Sequence, residues 1–555
     1  MTRFLFTVLA VVLAVPALAT DDPPDSTSED PRTAAFVAEA ESQGLSAAAA
    51  RALGARAENQ ILRASNIRQG AEFGIALALD GNRAVVGAPF EGDGDLKTLL
   101  RGAAYVFEFV GGTWTETAVL RGSNTEAFDE FGVSVALDGD RALVGTIRES
   151  GPGNATPGGG AVYVFELSGG AWVETAVLRA SNAESSDSFG SAIALDGNRA
   201  VIGAGLEDGP NNAIPESGAA YVFDVSEGQW VETAILRASN AGEDDILGQS
   251  IALDGDRVLL GVISEAGPFD ATSTSGAAYV FERSGETWTE TAILRASNAQ
   301  EQDRFGQSVA LDGDRALIGA RLEDGPGNAT AESGAAYVFE WSGDMWIETA
   351  ILRARDAGVD DNLGISVALD GDRALIGASG KAGPVAGTPD AGAAYLFELS
   401  DGTWTETVFL RASAPATFDQ FGARVALDGD RVLVGAPSQD GPGNAIPNAG
   451  AVYAFSATAT TIAAEPDEAT LALGFPWPNP ASGAIRVPYS LAVPDEVRLT
   501  AYDLLGREVA LLDSGVRRAG EHEAVFNASA LSPGMYVVRL VVGTQSAARR
   551  VVVVE

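Results

Sequence analysis

The chain has 555 residues, a formal charge of −40, one histidine and no cysteine. Disulfides, thiolate metal centres and cysteine nucleophiles are therefore excluded, and with His522 near the C-terminus no Ser-His-Asp triad or multi-histidine zinc site can form in the body of the chain. So large an excess of acid repels phosphate backbones, so neither nucleic acid nor an anionic membrane surface is an expected partner; it reads as a solvated acidic surface, with cation collection as the alternative.

Residues 1–19 read as a secretory signal peptide: Arg3 supplies the positive start, residues 4–15 the apolar stretch, and Ala17-Leu18-Ala19 the small-residue pattern that places cleavage after Ala19. The apolar run is too short to span a bilayer, and no integral membrane segment is expected. Residues 20–59 form a spacer. Its first part, to Thr33, is acidic and Pro-rich and reads as disordered, while the Ala-rich stretch 34–57 reads either as one helix or as a flexible connector.

From residue 60 to 457 the chain repeats itself. Phe-Gly recurs at Phe73, Phe131, Phe189, Phe305 and Phe421, with Leu247-Gly248 and Leu363-Gly364 as variants, always 58 residues apart. A fixed period of this length marks a repeat architecture. In the second copy, FGVSVAL (131–137) alternates large and small residues as a strand does. Asp138-Gly139 is a two-residue hairpin turn, and Arg141–Gly145 returns as the second strand. A long Gly/Pro/Asn-rich loop follows, then AVYVFEL (161–167), a tight Ser-Gly-Gly turn and the amphipathic WVETAVLRA (172–180). Four antiparallel strands in sequence make a propeller blade, and seven copies make a seven-bladed ring.

Closure has its own signature. The fourth-strand tryptophan occurs six times (Trp114, Trp172, Trp230, Trp288, Trp346, Trp404), one fewer than the blades, and the last copy stops after AVYAF (451–455). The missing strand stands at the front as Ile61–Ser65, which is expected to pair with Ala451–Phe455 and close the ring without an open edge. The meander puts the tight turns on one face and the long second-to-third and fourth-to-first connections on the other. The long-loop face is the candidate binding face.

Candidate residues on this scaffold each have two readings. Asp208, Asp324 and Asp440, in the loop motifs EDGP, EDGP and QDGP, are candidate ligand contacts, against turn capping, the stronger reading for Asp-Gly-Pro. Glu91, Asp93 and Asp95 form the one acidic loop able to offer oxygens to a cation, against an exposed Gly-rich loop. Arg recurs seven times after the hairpin turn (Arg83 to Arg431) and seven times in the fourth strand (Arg63 to Arg411), and Asp recurs six times before Phe-Gly or Leu-Gly (Asp129 to Asp419); repeated sets such as these suit Arg–carboxylate pairing and loop hydrogen bonds within or between blades. The tryptophans read as packing between blades. Near-identical blades argue against a single asymmetric catalytic centre, so no catalytic residues are assigned.

The Phe-Gly pairs, the full Gly-Ala-Pro at Gly87–Pro89 and Gly435–Pro437, and GAAYVFE together resemble the FG-GAP repeat family, the propeller of the integrin α-chain head and its bacterial relatives. The resemblance implies a ring that binds extracellular partners, with calcium in several blades. Here the turn departs from the family's longer Asp-rich loop: Leu311–Arg315 is too short to wrap an ion, so no cofactor is expected and calcium remains the alternative.

After a linker (458–474), residues 475–555 resemble the C-terminal sorting domain of type IX secretion cargo. The match rests on Pro478-Asn479-Pro480, Tyr502–Val509, Ala519–His522 and Leu531–Tyr536. It implies a small Ig-like β-sandwich, handling by the type IX machinery, and a secreted or outer-surface location, with His522 in a family turn motif. The chain is thus expected to be all-β, a seven-bladed propeller followed by a small sandwich. Its expected role is non-catalytic adhesion or binding of extracellular glycans or proteins; an extracellular polymer-degrading hydrolase or lyase and a structural surface-layer component are the alternatives.

Overall fold

The computed structural model describes residues 58–66, 68–92, 99–266, 274–383 and 388–456, and in the C-terminal part 472–473, 484–491, 495–503, 507–518, 520–527, 531, 534–542 and 545–553. The signal peptide with Ala19, the Ala-rich stretch and the linker lie outside these residues, apart from the short strand Ala472–Leu473. The chain divides into two compact units, Met1–Ala457 and Thr458–Glu555.

The first unit contains seven four-stranded antiparallel sheets. In the second blade the strands are Val135–Asp138, Arg141–Thr146, Ala161–Ser168 and Ala171–Leu178. The first strand starts later than its alternation predicts. In this blade Phe131 makes only an isolated parallel bridge, to Gly102 of the preceding blade. In the third and fifth blades the strand runs from the aromatic, Phe189–Asp196 and Phe305–Asp312, but through a bulge. The reason is steric. Gly364 (φ +93°) packs its carbonyl against Gly319 of the preceding blade, and a Cβ on Gly319 would stand 2.0 Å from that oxygen. The Phe-Gly turn is bent out of the ladder so that two backbones can touch.

The inner two-thirds of each blade is buried and the fourth strand is half exposed. Hydrophobic clusters lie between blades. One joins Val85 and Val106 of the first to Phe131, Val144 and Tyr163 of the second, with Phe131 edge-on to Tyr163 and Phe165 at centroid distances of 5.5 and 6.2 Å. Burying each such aromatic is worth about 1.5–3 kcal/mol, so neighbouring blades hold one another.

The seventh sheet is composite. Gln60–Leu62 pairs with Ala451–Ser456 in the register Gln60↔Ala454, Ile61↔Tyr453, Leu62↔Val452, beside Arg431–Ala436 and Arg424–Asp428. The expected closure is present in a shorter form, and Leu62 lies in one core with Phe73, Leu433 and Val452.

In the second unit one sheet orders Ala472–Leu473, Ala484–Leu491 and Gly520–Asn527; the other orders Glu508–Arg517, Asp495–Asp503, Gly534–Val542 and Gln545–Val553. Ile485, Val487 and Phe526 of the first share a core with Leu499, Val538 and Leu540 of the second, which makes a sandwich. His522 lies within a strand rather than a turn, stacked on Tyr489 at 5.1 Å.

Candidate functional site

The two faces of the ring use their polar residues differently. On the tight-turn face the turn aspartate of each blade accepts a hydrogen bond from the backbone N–H of the next blade's turn glycine. Asp196 accepts from Gly255 (2.7 Å), Asp254 from Gly313 (2.6 Å) and Asp312 from Gly371 (2.6 Å); the circuit closes with Asp428 accepting from Gly81. The arginine after each turn adds a second tie. Arg199 pairs with Asp224 in its own blade (2.8 Å) and Asp256 in the next (2.9 Å), and lies over Trp288 of the next blade at 5.3 Å. Arg141 over Trp230 and Arg315 over Trp404 repeat the stack. The turns and tryptophans are thus occupied in joining blades.

On the opposite face the fourth-strand arginines meet a set of buried glutamates. Arg179, Arg237, Arg295 and Arg353 pair with Glu149, Glu207, Glu265 and Glu323, and Arg121 pairs with Glu91 at 2.6 Å. Glu91 therefore sits in the interior, 7% exposed, and not on an exposed loop. Its oxygens accept from Arg121, from Asn66 at 2.7 Å and from the Tyr105 hydroxyl at 2.5 Å. Asp93 and Asp95 lie outside the described residues. Among the described residues no group of three or more acidic or histidine side chains is placed to hold a metal ion.

Asp208, Asp324 and Asp440 each close their own loop. One carboxylate oxygen accepts from the backbone N–H of Glu216 (2.9 Å), Glu332 (2.9 Å) and Asn448 (3.0 Å) respectively. The structure does not gather them into one site; they stand in the third, fifth and seventh blades. The aspartates before Phe-Gly also cap loops: Asp129 accepts from Glu126 N–H (2.6 Å) and Asp303 from Gln300 N–H (2.8 Å). Burial pushes both carboxyls up to about 6 against the pull of those bonds, with Glu149 and Glu323 adding to the rise. Asp187 and Asp419 are raised by burial too, so the shift belongs to the repeat and not to one catalytic centre.

The sixth blade inverts the charge. Lys381 stands where the first five blades carry the buried glutamate, and its ammonium reaches Asp361 (2.8 Å) and Asp356 (3.1 Å); Asp356 replaces the asparagine that serves those five blades. Arg411, left without a glutamate, donates to Ala382 O (2.9 Å) and lies over Phe409 at 4.7 Å.

A cavity of about 280 Å³ opens on the long-loop face between the first and second blades, lined among others by Asn124, Glu126, Phe128, Asp129, Arg148 and Asn154.

A closed ring of seven four-stranded blades, with one face locked and the other carrying variable loops, defines a seven-bladed β-propeller. The FG-GAP repeat profile matches residues 57–107, 114–165, 172–223, 230–281, 288–339, 346–397 and 404–455, and the chain belongs to the FG-GAP repeat family. Residues 476–554 match the secretion system C-terminal sorting domain, which makes the protein cargo of the type IX machinery, secreted or attached to the outer cell surface. No helix among the described residues is long and apolar enough to cross a membrane. A search of curated proteins gave no match.

Proposed function

We propose that the ring is a non-catalytic module that binds extracellular glycans or proteins through its long-loop face. The observation that carries this is the division of labour between faces. The turn aspartates, post-turn arginines and tryptophans are spent on blade-to-blade contacts. The long loops carry the variation: the position of Asp208, Asp324 and Asp440 is Ser150 in the second blade, Ala266 in the fourth and Ala382 in the sixth. A uniform scaffold with divergent loops on one side is how repeat folds present a recognition surface. The buried acids with raised pKa recur around the ring, which favours binding over catalysis.

The test is a screen of the purified protein against immobilised glycans and extracellular proteins, with and without calcium, together with chromatography of the glycans after incubation. Retention of an intact ligand supports the reading. Chain scission of a glycan overturns it in favour of a hydrolase or lyase, and strict calcium dependence would assign the loops a metal role.

A further inference from the structure

The junction of the first and second blades carries the residues of a bridge that it does not make. In two other junctions the equivalent residues close the cleft: between the second and third blades Asn212 donates to Glu184 at 2.7 Å, and between the fourth and fifth Asn328 and Gln300 exchange two bonds of 2.7 Å, while Gly242, Gly358 and Ala416 stand at that position elsewhere. The first junction carries the same residue pair as Glu184 and Asn212, namely Glu126 and Asn154, but they make no bond to each other and instead both line the 280 Å³ cavity. Three neighbouring substitutions accompany the opening. Ser150 replaces the loop-closing aspartate, Arg148 replaces Leu206, and Phe128 replaces Ser186.

Phe128 is the telling one. Its backbone is left-handed (φ +73°), as at the equivalent Ser186, Asp244, Gln302, Asp360 and Phe418. That conformation disfavours a bulky side chain. Phe128 gains no compensating burial, for it is 48% exposed at the cavity rim. The same exposed left-handed phenylalanine recurs at Phe418, so what sets Phe128 apart is that its ring stands beside the unbridged Glu126 and Asn154 at the cavity.

Deeper in the junction, Asn124 gives its amide N–H to Glu149 (2.7 Å), but its carbonyl does not accept from the tyrosine beneath. In the following blades Asn182, Asn240 and Asn298 accept from Tyr221, Tyr279 and Tyr337 at 2.8, 2.9 and 2.8 Å. The Tyr163 hydroxyl is fully buried and has no partner. The lining carries three carboxylates, Glu126, Asp129 and Glu149, against one cation, Arg148, which is already paired with Glu130 at 3.0 Å.

Resting on the reading of the ring as a binding module, we propose that this cleft is a subsite for one neutral sugar residue of an extracellular glycan. A pyranose presents an apolar C–H face that suits the Phe128 ring. Its hydroxyls donate to Glu126 and the Asn124 carbonyl and accept from Asn154, replacing the bridge that the second-to-third and fourth-to-fifth junctions make internally. The volume admits one ring and not a chain, being at the lower end of small-ligand cavities. The surplus of carboxylates rejects sialic and uronic acids by repulsion.

The experiment titrates the full protein with the methyl glycosides of glucose, galactose, mannose and fucose, and with sialic acid, by saturation-transfer NMR. At least one neutral glycoside is expected to bind, and sialic acid is not. Phe128→Ser, which copies the third blade, and Glu126→Gln should each weaken binding at least tenfold, while Phe418→Ser, at the equivalent exposed position of another junction, should leave it unchanged. Circular dichroism and the melting temperature confirm that the variants fold. Absence of binding by every neutral glycoside, or binding indifferent to both Phe128→Ser and Glu126→Gln, overturns the subsite. If the screen described above retains a ligand whose binding ignores these two variants, the subsite fails while the module reading stands; if a glycoside binds here and is cleaved, the non-catalytic reading fails instead.

Discussion

The inverted charge of the sixth blade can be transplanted. In the fifth blade Glu323 is 2% exposed and accepts from Arg353 Nε (3.2 Å) and its terminal nitrogen, from Asn298 (2.9 Å) and from Gly325 N–H (2.9 Å). Glu323→Lys removes all four bonds and sets an ammonium against the Arg353 guanidinium. Breaking a buried pair from one side costs about 3–5 kcal/mol, and this substitution belongs at the upper end because it adds repulsion. The sixth blade shows the remedy, for Lys381 is held by Asp356 and Asp361, and Asp303 already stands where Asp361 does. Adding Asn298→Asp supplies the second carboxylate and keeps an acceptor for the Tyr337 hydroxyl, which now bonds Asn298 at 2.8 Å. Neighbours in one polar network couple by roughly 0.5–3 kcal/mol, so the double variant should recover about 1–3 kcal/mol. Adding Ile351→Phe, which copies the ring under Arg411, should recover more by giving Arg353 a face to lie on. In a ring of this size each kcal/mol moves the midpoint by on the order of 1 °C. Differential scanning calorimetry should therefore show a drop of about 4–5 °C for Glu323→Lys and a partial return for the pair. A double variant no more stable than Glu323→Lys, or an equal gain from Asn298→Asp in the wild-type background, would refute the account of Lys381 as a compensated inversion.

Three further outcomes follow from the geometry. Because Asp129 and Asp303 titrate near 6 in the folded ring, above the usual unfolded value near 4, the folded state takes up protons between those values and stability rises as pH falls from 7 toward 4.5. Melting should be higher at pH 5 than at pH 7.5, and the slope should flatten in Asp129→Asn/Asp303→Asn; a midpoint that is level or lower at pH 5 in the wild type sinks this. Deleting residues 58–65 removes the strand Gln60–Leu62 and the Glu58–Ser413 bond and leaves Ala451–Ser456 as a bare edge, so gel filtration should show association where the intact protein runs as a single species. Arg199→Lys retains charge but loses the planar contact with Trp288 and one of its two carboxylates, which should cost about 1–2 kcal/mol and red-shift tryptophan emission.

The ring was legible because its signals are local and recur: the Asp-Gly turns, the six tryptophans for seven blades, and the stray Ile61–Ser65 at the front. What bound the blades was harder to read. The arginines were visible as sevenfold sets, but their partners Glu149, Glu207, Glu265 and Glu323 lie 30 residues upstream, in loops of changing sequence, and the series is interrupted by Lys381 and Gln439. In sequence Glu91 looks like part of an acidic loop, because its neighbours Asp93 and Asp95 hide its place in that series. Alternation places the start of the first strand too early in the second blade because it cannot register that Phe-Gly is bent against the preceding blade's backbone. At the first junction, Glu126 and Asn154 look in sequence like the pair that bridges the second and third blades, and only the structure shows them unbonded.

The composite blade also fixes how the ring is held out to its surroundings. Ser456, the last residue of the closing sheet, pairs with Arg431, which directly follows a tight turn, and Gln60 pairs two residues before it. Both ends of the propeller therefore leave from the tight-turn side. The chain thus enters and leaves the ring on the face opposite the long loops, and neither end of the propeller crosses the candidate binding face.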